Sequence, residues 1–138
     1  MIYLDTSAIL KLLRREAETD ALIDHLEAHA GHDLITSALA TVETAGALTA
    51  LGDVETAARA VHRSDRIDVG AAVIPAVAVS AAVLDLARTL PPAVLRSLDA
   101  VHLATAKLAG DSLDHVITYD KRMLAAADAA GLQTMAPA

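Results

Sequence analysis

The chain of 138 residues contains no cysteine, no tryptophan and no phenylalanine, and only two tyrosines. The lack of cysteine excludes a disulfide scaffold, a thiolate metal site and a cysteine nucleophile. Aliphatic side chains must therefore fill the core, and 32 of the residues are alanines. Because alanine is small, this composition indicates closely packed helices. The length is typical of one domain, which we expect to span residues 1–138.

Long hydrophobic runs are also missing. The longest uncharged stretch, residues 69–84, is interrupted by Gly70, Pro75 and Ser80. A membrane-spanning helix needs about 20 consecutive apolar residues. The N-terminal sequence MIYLDTS places Asp5 where a signal peptide has an uninterrupted apolar stretch. We therefore expect no membrane span and a cytoplasmic protein.

Basic residues are in the minority. Eleven Lys and Arg residues against eighteen Asp and Glu residues give a formal net charge of −7 at pH 7. Surfaces that bind nucleic acid are normally basic, because they replace the counterions of the phosphate backbone. The negative net charge therefore argues against broad electrostatic binding of nucleic acid. The exception would be a group of carboxylates around a divalent cation, which reverses the sign of the local electric field. The placement of the acids therefore matters more than the net charge.

Short apolar runs alternate with stretches of helical periodicity along the chain. Strands are predicted at about residues 1–4, 33–36, 115–119 and 132–135, with a less legible one between 67 and 79. Helices are predicted at about 6–13, 16–30, 39–51, 54–61, 81–90, 99–109 and 121–130, and Pro91-Pro92 is expected to end the fifth. The alternation predicts an α/β fold with helices on both faces of a central, mostly parallel sheet. Ligands of such sheets bind beyond the carboxyl ends of the strands.

Four acidic residues are placed where this fold would bring them together. Asp5 follows the first predicted strand and Asp120 the fourth, Glu43 lies about two turns into the helix after the second strand, and Asp99 opens a helix. Glu43 and Asp99 have apolar sequence neighbours, which is unusual for solvated charges. Carboxylates crowded at one edge repel one another unless they share a hard divalent cation such as Mg²⁺ or Mn²⁺. An Asp after a strand or at a helix start is also an ordinary cap, so spacing alone leaves both interpretations open.

Four segments together carry a family resemblance, in this order along the chain: YLDTSAILKL (3–12), ITSALATVE (35–43), LRSLDAVHLATA (95–106) and VITYDKRML (116–124). By these segments the chain resembles PIN-domain ribonucleases of the VapC toxin type, over essentially its whole length. The resemblance implies a three-layer α/β/α domain with a central, mostly parallel sheet. It also implies Mg²⁺ or Mn²⁺ held by acids, and cleavage of RNA by metal-activated water that leaves 5′-phosphate and 3′-hydroxyl ends.

The resemblance assigns roles to individual residues. The family's four acids map onto Asp5, Glu43, Asp99 and Asp120, which are the expected catalytic residues and metal ligands, with Asp120 completing the site or positioning water. The hydroxyl groups that follow or precede these acids are expected to orient carboxylates or water, and they belong to Thr6, Ser7 and Thr118. The expected partners are RNA, a small VapB-type antitoxin whose helix lies in an apolar groove, and a second copy of the chain in a homodimer.

Basic residues near the ends of the elements that flank the acids are candidates to contact RNA phosphates. They are Lys11, Arg14, Arg15, Arg96, Lys107, Lys121 and Arg122. Most surface Lys and Arg residues only solvate a helix face, so we expect about a third of this set to contact RNA.

Histidine occurs in two patterns whose meaning the sequence leaves open. His25, His29 and His32 form H-x-x-x-H-x-x-H, and the first two share a helix face at a spacing that zinc sites use. Solvent-facing histidines on an amphipathic helix explain this pattern equally well, so we expect no native zinc site, although Ni²⁺ or Zn²⁺ can bind adventitiously. His102 could face the acids or pack beneath them, and the packed, structural role is favoured.

Three other functions are compatible with an α/β chain that carries acids at its strand ends. A haloacid-dehalogenase-like, Mg²⁺-dependent phosphatase would have D-x-D after the first strand, where this chain has Asp5-Thr6-Ser7. A phosphoacceptor receiver would have an acid pair there and an acceptor aspartate after its third strand. Neither pattern is present. A catalytically silent PIN-like binding module, with structural acids, is the remaining alternative.

Overall fold

Strands and helices alternate along the chain in the structure, a computed structural model that describes residues 1–91 and 95–138. The strands of these ranges are β1 (Ile2–Leu4), β2 (Leu34–Ser37), β3 (Arg66–Asp68), β4 (Val73–Val77), β5 (His115–Ile117) and β6 (Thr134–Met135). The helices are α1 (Thr6–Leu13), α2 (Thr19–Ala28), α3 (Leu39–Ala50), α4 (Val54–Ala60), α5 (Ala81–Ala87), α6 (Ser97–Leu108) and α7 (Lys121–Ala129), with a 3₁₀ turn at Gly110–Ser112.

The six strands form one sheet in the order β3-β4-β2-β1-β5-β6. Neighbouring strands are parallel, except that β3 pairs antiparallel with β4 at the edge. β1 lies between β2 and β5, and Leu4 at its end is in register with Ile117. The carboxyl ends of β1, β2 and β5 therefore meet at the same edge of the sheet, as predicted for a mostly parallel α/β fold.

Helices cover both faces of this sheet. Side chains alternate between the faces along β1, so Ile2 and Leu4 pack with Ile9 of α1, whereas Tyr3 packs with Ala106 of α6. All five side chains are fully buried. The result is the predicted three-layer α/β/α architecture. No helix within the described ranges is long and apolar enough to cross a bilayer.

The structure differs from the predicted elements mainly in the middle of the chain. The single strand predicted between residues 67 and 79 is a hairpin of β3 and β4, because β3 contains one buried apolar residue, Ile67, and gave no clear pattern. Asp120 consequently follows the fifth strand instead of the fourth. α5 ends at Ala87 and not at residue 90. The expected effect of Pro91-Pro92 cannot be compared, since Pro92 lies outside the described residues.

The positions of two acids within their helices also differ from the prediction. Glu43 lies about one turn into α3 and not two, because that helix begins at Leu39. Asp99 does not open α6, which begins at Ser97, but lies in its first turn. Asp99 therefore lies where the positive end of the helix dipole favours negative charge, whereas Glu43 lies just beyond the first turn of α3.

Candidate active site

Asp5 lies at the junction between β1 and α1. Its backbone nitrogen donates to the carbonyl oxygen of Ile117 in β5 at 3.2 Å, and its carboxylate caps α1 by accepting from the nitrogen of Ala8 at 3.2 Å. The same carboxylate accepts from the hydroxyl of Ser7 at 2.5 Å and from the hydroxyl of Thr118. Burial raises the pKa of Asp5, although all three hydrogen bonds act to lower it.

Glu43 reaches the same place from α3. Its Oε1 atom accepts a hydrogen bond from Thr6 Oγ1 at 2.7 Å and contacts His102 Nε2 at 2.5 Å. Burial acts to raise the pKa of Glu43, but the contacts with His102 and Thr6 outweigh it, so the pKa lies below its ordinary value. The ionised carboxylate is therefore the favoured form of Glu43 at neutral pH.

His102 connects Glu43 to the buried Tyr3. The phenolic oxygen of Tyr3 lies 2.6 Å from His102 Nδ1. Burial raises the pKa of Tyr3 well above its ordinary value, so the phenol keeps its proton and donates it to Nδ1. In neutral His102 the remaining ring proton is then on Nε2 and is donated to Glu43. The ring is buried, as the favoured interpretation held, but it also contacts one of the acids.

Asp99 and Asp120 form a second pair of acids. Asp120 caps α7 by accepting from the backbone nitrogen of Arg122 at 2.8 Å. Burial raises the pKa of Asp99, and the charge of Asp120 raises it further. Thr118 links this pair to the first, because its hydroxyl accepts from the backbone nitrogen of Asp120 at 3.2 Å and donates to Asp5.

The imidazole ring of His102 influences the pKa values of three of the four acids. When its ring is protonated, His102 acts to lower the pKa of Asp5, Glu43 and Asp99. Together with the Thr118 link to Asp120, this places the four predicted acids around one small region beyond the carboxyl ends of β1 and β5. The predicted hydroxyls of Thr6, Ser7 and Thr118 all contact these acids.

Three of the seven candidate basic residues lie near the acids. The charges of Arg122 and Arg96 act to lower the pKa of Asp99, and Arg122 Nε lies 3.9 Å from Asp120 Oδ1. Both arginines are exposed, as is Lys121 at the start of α7. Lys121 directly follows Asp120 in the sequence, so all three exposed residues lie near the acids.

The other four basic candidates are engaged elsewhere. Lys11 Nζ lies 2.6 Å from Glu16 and 2.8 Å from Glu18, and its side chain is largely buried. Arg14 lies 4.0 Å from Asp53 and Arg15 lies 2.5 Å from Asp20. Lys107 donates to the carbonyl oxygen of Ala130 at 2.9 Å. Their positions give no support for RNA contacts.

The donor set at the acids fits a hard divalent cation. All the candidate ligands are carboxylates. Burial opposes the ionisation of Asp5 and Asp99 by raising their pKa values, and at Asp99 the like charge of Asp120 adds to this effect. A bound Mg²⁺ or Mn²⁺ ion would relieve both effects. Across residues 1–91 and 95–138, no group of three or more His, Asp or Glu side chains already has the arrangement of a metal site. Binding therefore requires some of these side chains to turn.

Two of the three histidines in and after α2 are not the solvent-facing residues that the helical pattern suggested. His25 and His29 are half-buried and pack against His115, whereas His32 is exposed. The helix pattern alone could not show this, because His115 lies 90 residues after His25.

Comparison with known proteins places the chain in a family. The family model described as "PIN domain" matches residues 2–129, and the chain belongs to that family. It is 40% identical to Ribonuclease VapC35 of Mycobacterium tuberculosis, over 99% of this chain and 97% of the relative. It is 44% identical to Ribonuclease VapC46 and 39% identical to Ribonuclease VapC47 of the same species, with the same coverage. The resemblance stated from the four sequence segments is confirmed.

Sequence reasoning missed the chain of contacts from Tyr3 through His102 to Glu43. Tyr3 and His102 are 99 residues apart, and His102 and Glu43 are 59 apart. A partial signal for the position of His102 was present, because Asp99 and His102 are three residues apart and so share a face of α6. Nothing in the sequence pointed to Tyr3.

Proposed function

We propose that the chain is a Mg²⁺- or Mn²⁺-dependent endoribonuclease and the toxin of a VapBC-type toxin–antitoxin module. The observation that carries the proposal is the gathering of Asp5, Glu43, Asp99 and Asp120 at one edge of the sheet. Membership of the PIN domain family and the relatives named as VapC ribonucleases support it. The proposal concerns a single PIN domain over residues 1–138, acting on RNA in the cytoplasm.

Each acid has a role in the proposed reaction. Asp5, Glu43 and Asp99 would hold the ion, and Asp120 would complete the site or position water. A divalent ion, when bound, activates water and neutralises charge that develops on the phosphate. One of the carboxylates accepts the proton that the attacking water loses. Because water is the nucleophile, no side chain forms a covalent intermediate.

The neutral side chains of the site keep the acids in position. Ser7 and Thr118 donate to different oxygens of Asp5, and Thr6 and His102 hold Glu43 Oε1. Such contacts fix carboxylates before substrate arrives, which lowers the cost of organising the site during the reaction. Arg96, Lys121 and Arg122 are the proposed phosphate contacts, since they lie near the acids and are exposed.

The proposed protein partners are a VapB-type antitoxin and a second copy of the chain. The names of the relatives support the antitoxin. The alanine-rich helices α2 and α3 offer shallow surfaces that suit helix docking. Size-exclusion chromatography with light scattering tests the homodimer, and a strictly monomeric chain would remove that part of the proposal.

The nuclease proposal is tested by RNA cleavage. Purified, antitoxin-free protein is incubated with cellular RNA and Mg²⁺ or Mn²⁺, with and without EDTA. We expect discrete fragments that disappear with EDTA and in the variants Asp5→Asn and Asp99→Asn. The matched control is Asp111→Asn, which makes the same charge change at an exposed position beyond the far end of α6, and it should cleave normally.

The same assay separates the alternative functions. Folded protein that cleaves no RNA in the presence of either metal would favour the silent binding module. Release of phosphate from a phosphomonoester such as p-nitrophenyl phosphate, without RNA cleavage, would favour the phosphatase. Cleavage that persists in EDTA or in Asp99→Asn would contradict the proposed site.

A further inference from the structure

Three histidines form a second cluster at the other end of the strands from the acids. His115 begins β5, and His25 and His29 come from the C-terminal part of α2. His25 Nε2 lies 2.9 Å from His115 Nε2. The ring of His29 is centred 4.3 Å from that of His25 and 5.5 Å from that of His115. The three rings line one surface pocket, together with Leu113 and Met135.

The outer nitrogens of two rings are already held by oxygen acceptors. His115 Nδ1 lies 2.7 Å from the carboxylate of Asp114, and His29 Nδ1 lies 2.7 Å from the carbonyl oxygen of His25. Both acceptors require a proton on Nδ1, so in the neutral rings Nε2 carries a lone pair. Histidine ligands of metals are usually oriented in this way, by a carboxylate or carbonyl on the other ring nitrogen.

The spacing of the rings is close to that around one ion. Two imidazole nitrogens on a tetrahedral zinc ion lie about 3.3 Å apart, and their ring centres lie about 5 Å apart, given Zn–N bonds of about 2.0–2.1 Å. Here the facing nitrogens of His25 and His115 are 2.9 Å apart and their ring centres 5.0 Å apart. The two nitrogens face each other almost head-on, so the rings would have to turn as well as separate for an ion to take the place of the shared proton.

We propose that His25, His29 and His115 form a binding site for a transition-metal ion of the Zn²⁺ class, separate from the acids. The ion would tie α2 to the start of β5. The described residues hold no group of three such ligands already in metal-binding arrangement, so His29 joins the other two by turning its ring, and water takes the fourth position. Imidazole ligands select Zn²⁺, Ni²⁺ or Co²⁺ over Mg²⁺. The sequence-based expectation of no native zinc site is revised, because it did not include His115.

The test is Zn²⁺ titration calorimetry on protein that carries no histidine tag, with the visible spectrum of the Co²⁺ complex and the thermal unfolding midpoint as further readouts. We expect one Zn²⁺ ion per chain, an increase of the midpoint, and no displacement by millimolar Mg²⁺. His25→Gln and His29→Gln should each weaken binding by at least about tenfold. His62→Gln, an exposed histidine elsewhere on the chain, is the matched control and should bind as the native chain does.

Two variants make the assignment of the ion unambiguous. Asp5→Asn should leave Zn²⁺ binding unchanged, and its loss there would place the ion at the acids and overturn the proposal. Undiminished binding in the double variant His25→Gln, His29→Gln, or no binding by the native chain, would also overturn it. Both substitutions lie on half-buried helix positions, so the test does not depend on replacing the buried His115. RNA cleavage is not a readout, so the nuclease proposal stands or falls separately.

Discussion

At the scale of the residue, the four acids differ in what surrounds them. Asp5 is buried among hydroxyl donors, Glu43 is held by an imidazole, and Asp99 is opposed by the charge of Asp120. Burial makes the charged form unfavourable at Asp5, and burial together with repulsion from Asp120 makes it unfavourable at Asp99. Side chains whose charged form is unfavourable are typical of functional sites. Conservative substitutions at these positions should therefore lower activity without lowering stability.

Asp5→Asn should remove cleavage without lowering the stability of the metal-free protein. Burial raises the pKa of Asp5 above its ordinary value of 3.8. The protonated form therefore stabilises the fold, fully so below that value, and this contribution is lost as pH rises through the folded pKa. Asparagine resembles the protonated form and can still cap α1. We expect an unfolding midpoint in EDTA at pH 7 that equals or exceeds that of the native chain, and cleavage reduced by at least about 100-fold.

The control for this prediction is Asp5→Ala, which also removes the cap acceptor and should lose about 0.5–2 kcal/mol of stability. Thermal unfolding of the three proteins between pH 4 and pH 8 measures both effects. A midpoint for Asp5→Asn well below that of the native chain at pH 7 would show that ionised Asp5 stabilises the fold, contrary to this account.

His102 is expected to position Glu43. Removing the ring in His102→Ala should lower cleavage by about 10- to 100-fold, the usual effect of losing a group that orients a metal ligand. His102→Gln keeps an N–H donor at a similar reach and should recover part of the activity. Binding of Mn²⁺, measured by calorimetry, should weaken and recover in the same order. Equal loss in both variants, with unchanged Mn²⁺ affinity, would contradict a positioning role.

At the scale of the element, two glycines with open space around them should respond oppositely to alanine. Gly46 lies within α3, and Gly131 follows α7 with φ at +77°. A Cβ atom at either position would meet nothing within 4 Å. Gly46→Ala should stabilise the protein by about 0.5–1 kcal/mol. Gly131→Ala should destabilise it by about 1–2 kcal/mol, because an L side chain disfavours this backbone region. Urea unfolding of both variants measures whether each substitution raises or lowers the stability. Stabilisation by both would show that residue 131 does not require a positive φ at the end of α7.

The elements that the sequence predicted well are those with clear boundary signals. β1, α3 and α7 agree closely with prediction because β1 is an apolar run that ends at Asp5, Leu39 at the start of α3 bonds to Ser37, and Asp120 caps α7. β3 was missed because Ile67 alone is buried in it. The end of α5 was placed three residues too late, since Leu90 continues the apolar pattern although the helix stops at Ala87.

The candidate site was predictable for a different reason. Asp5 and Asp120 follow neighbouring parallel strands, which places them at one edge from pattern alone. The apolar sequence neighbours of Glu43 and Asp99 gave a weaker signal, which the family resemblance strengthened, because a position inside a helix does not show where the helix lies. Contacts such as Tyr3 to His102, and His25 to His115, depend on packing between distant segments, and no local pattern encodes them.

At the scale of the whole molecule, a net charge of −7 should confine RNA binding to the neighbourhood of the acids. In the non-cleaving Asp5→Asn background, Arg96→Gln and Arg122→Gln should each weaken RNA binding. Each should also lower the slope of log affinity against log salt by about 0.7, the value for one phosphate contact on a single strand. Arg63→Gln removes an exposed arginine that pairs with Asp65 and should change neither quantity. An effect of Arg63→Gln equal to the others would indicate diffuse binding instead.

The central claim is that RNA is cleaved by water activated at the four acids, and the chemistry of the product ends tests it most directly. Mass spectrometry of the fragments formed with Mn²⁺ would identify both new ends of each cut. Attack by water is predicted to leave 5′-phosphate and 3′-hydroxyl ends in every fragment. Fragments with 5′-hydroxyl and 2′,3′-cyclic phosphate ends would show that the ribose hydroxyl is the nucleophile, and would contradict the proposed mechanism.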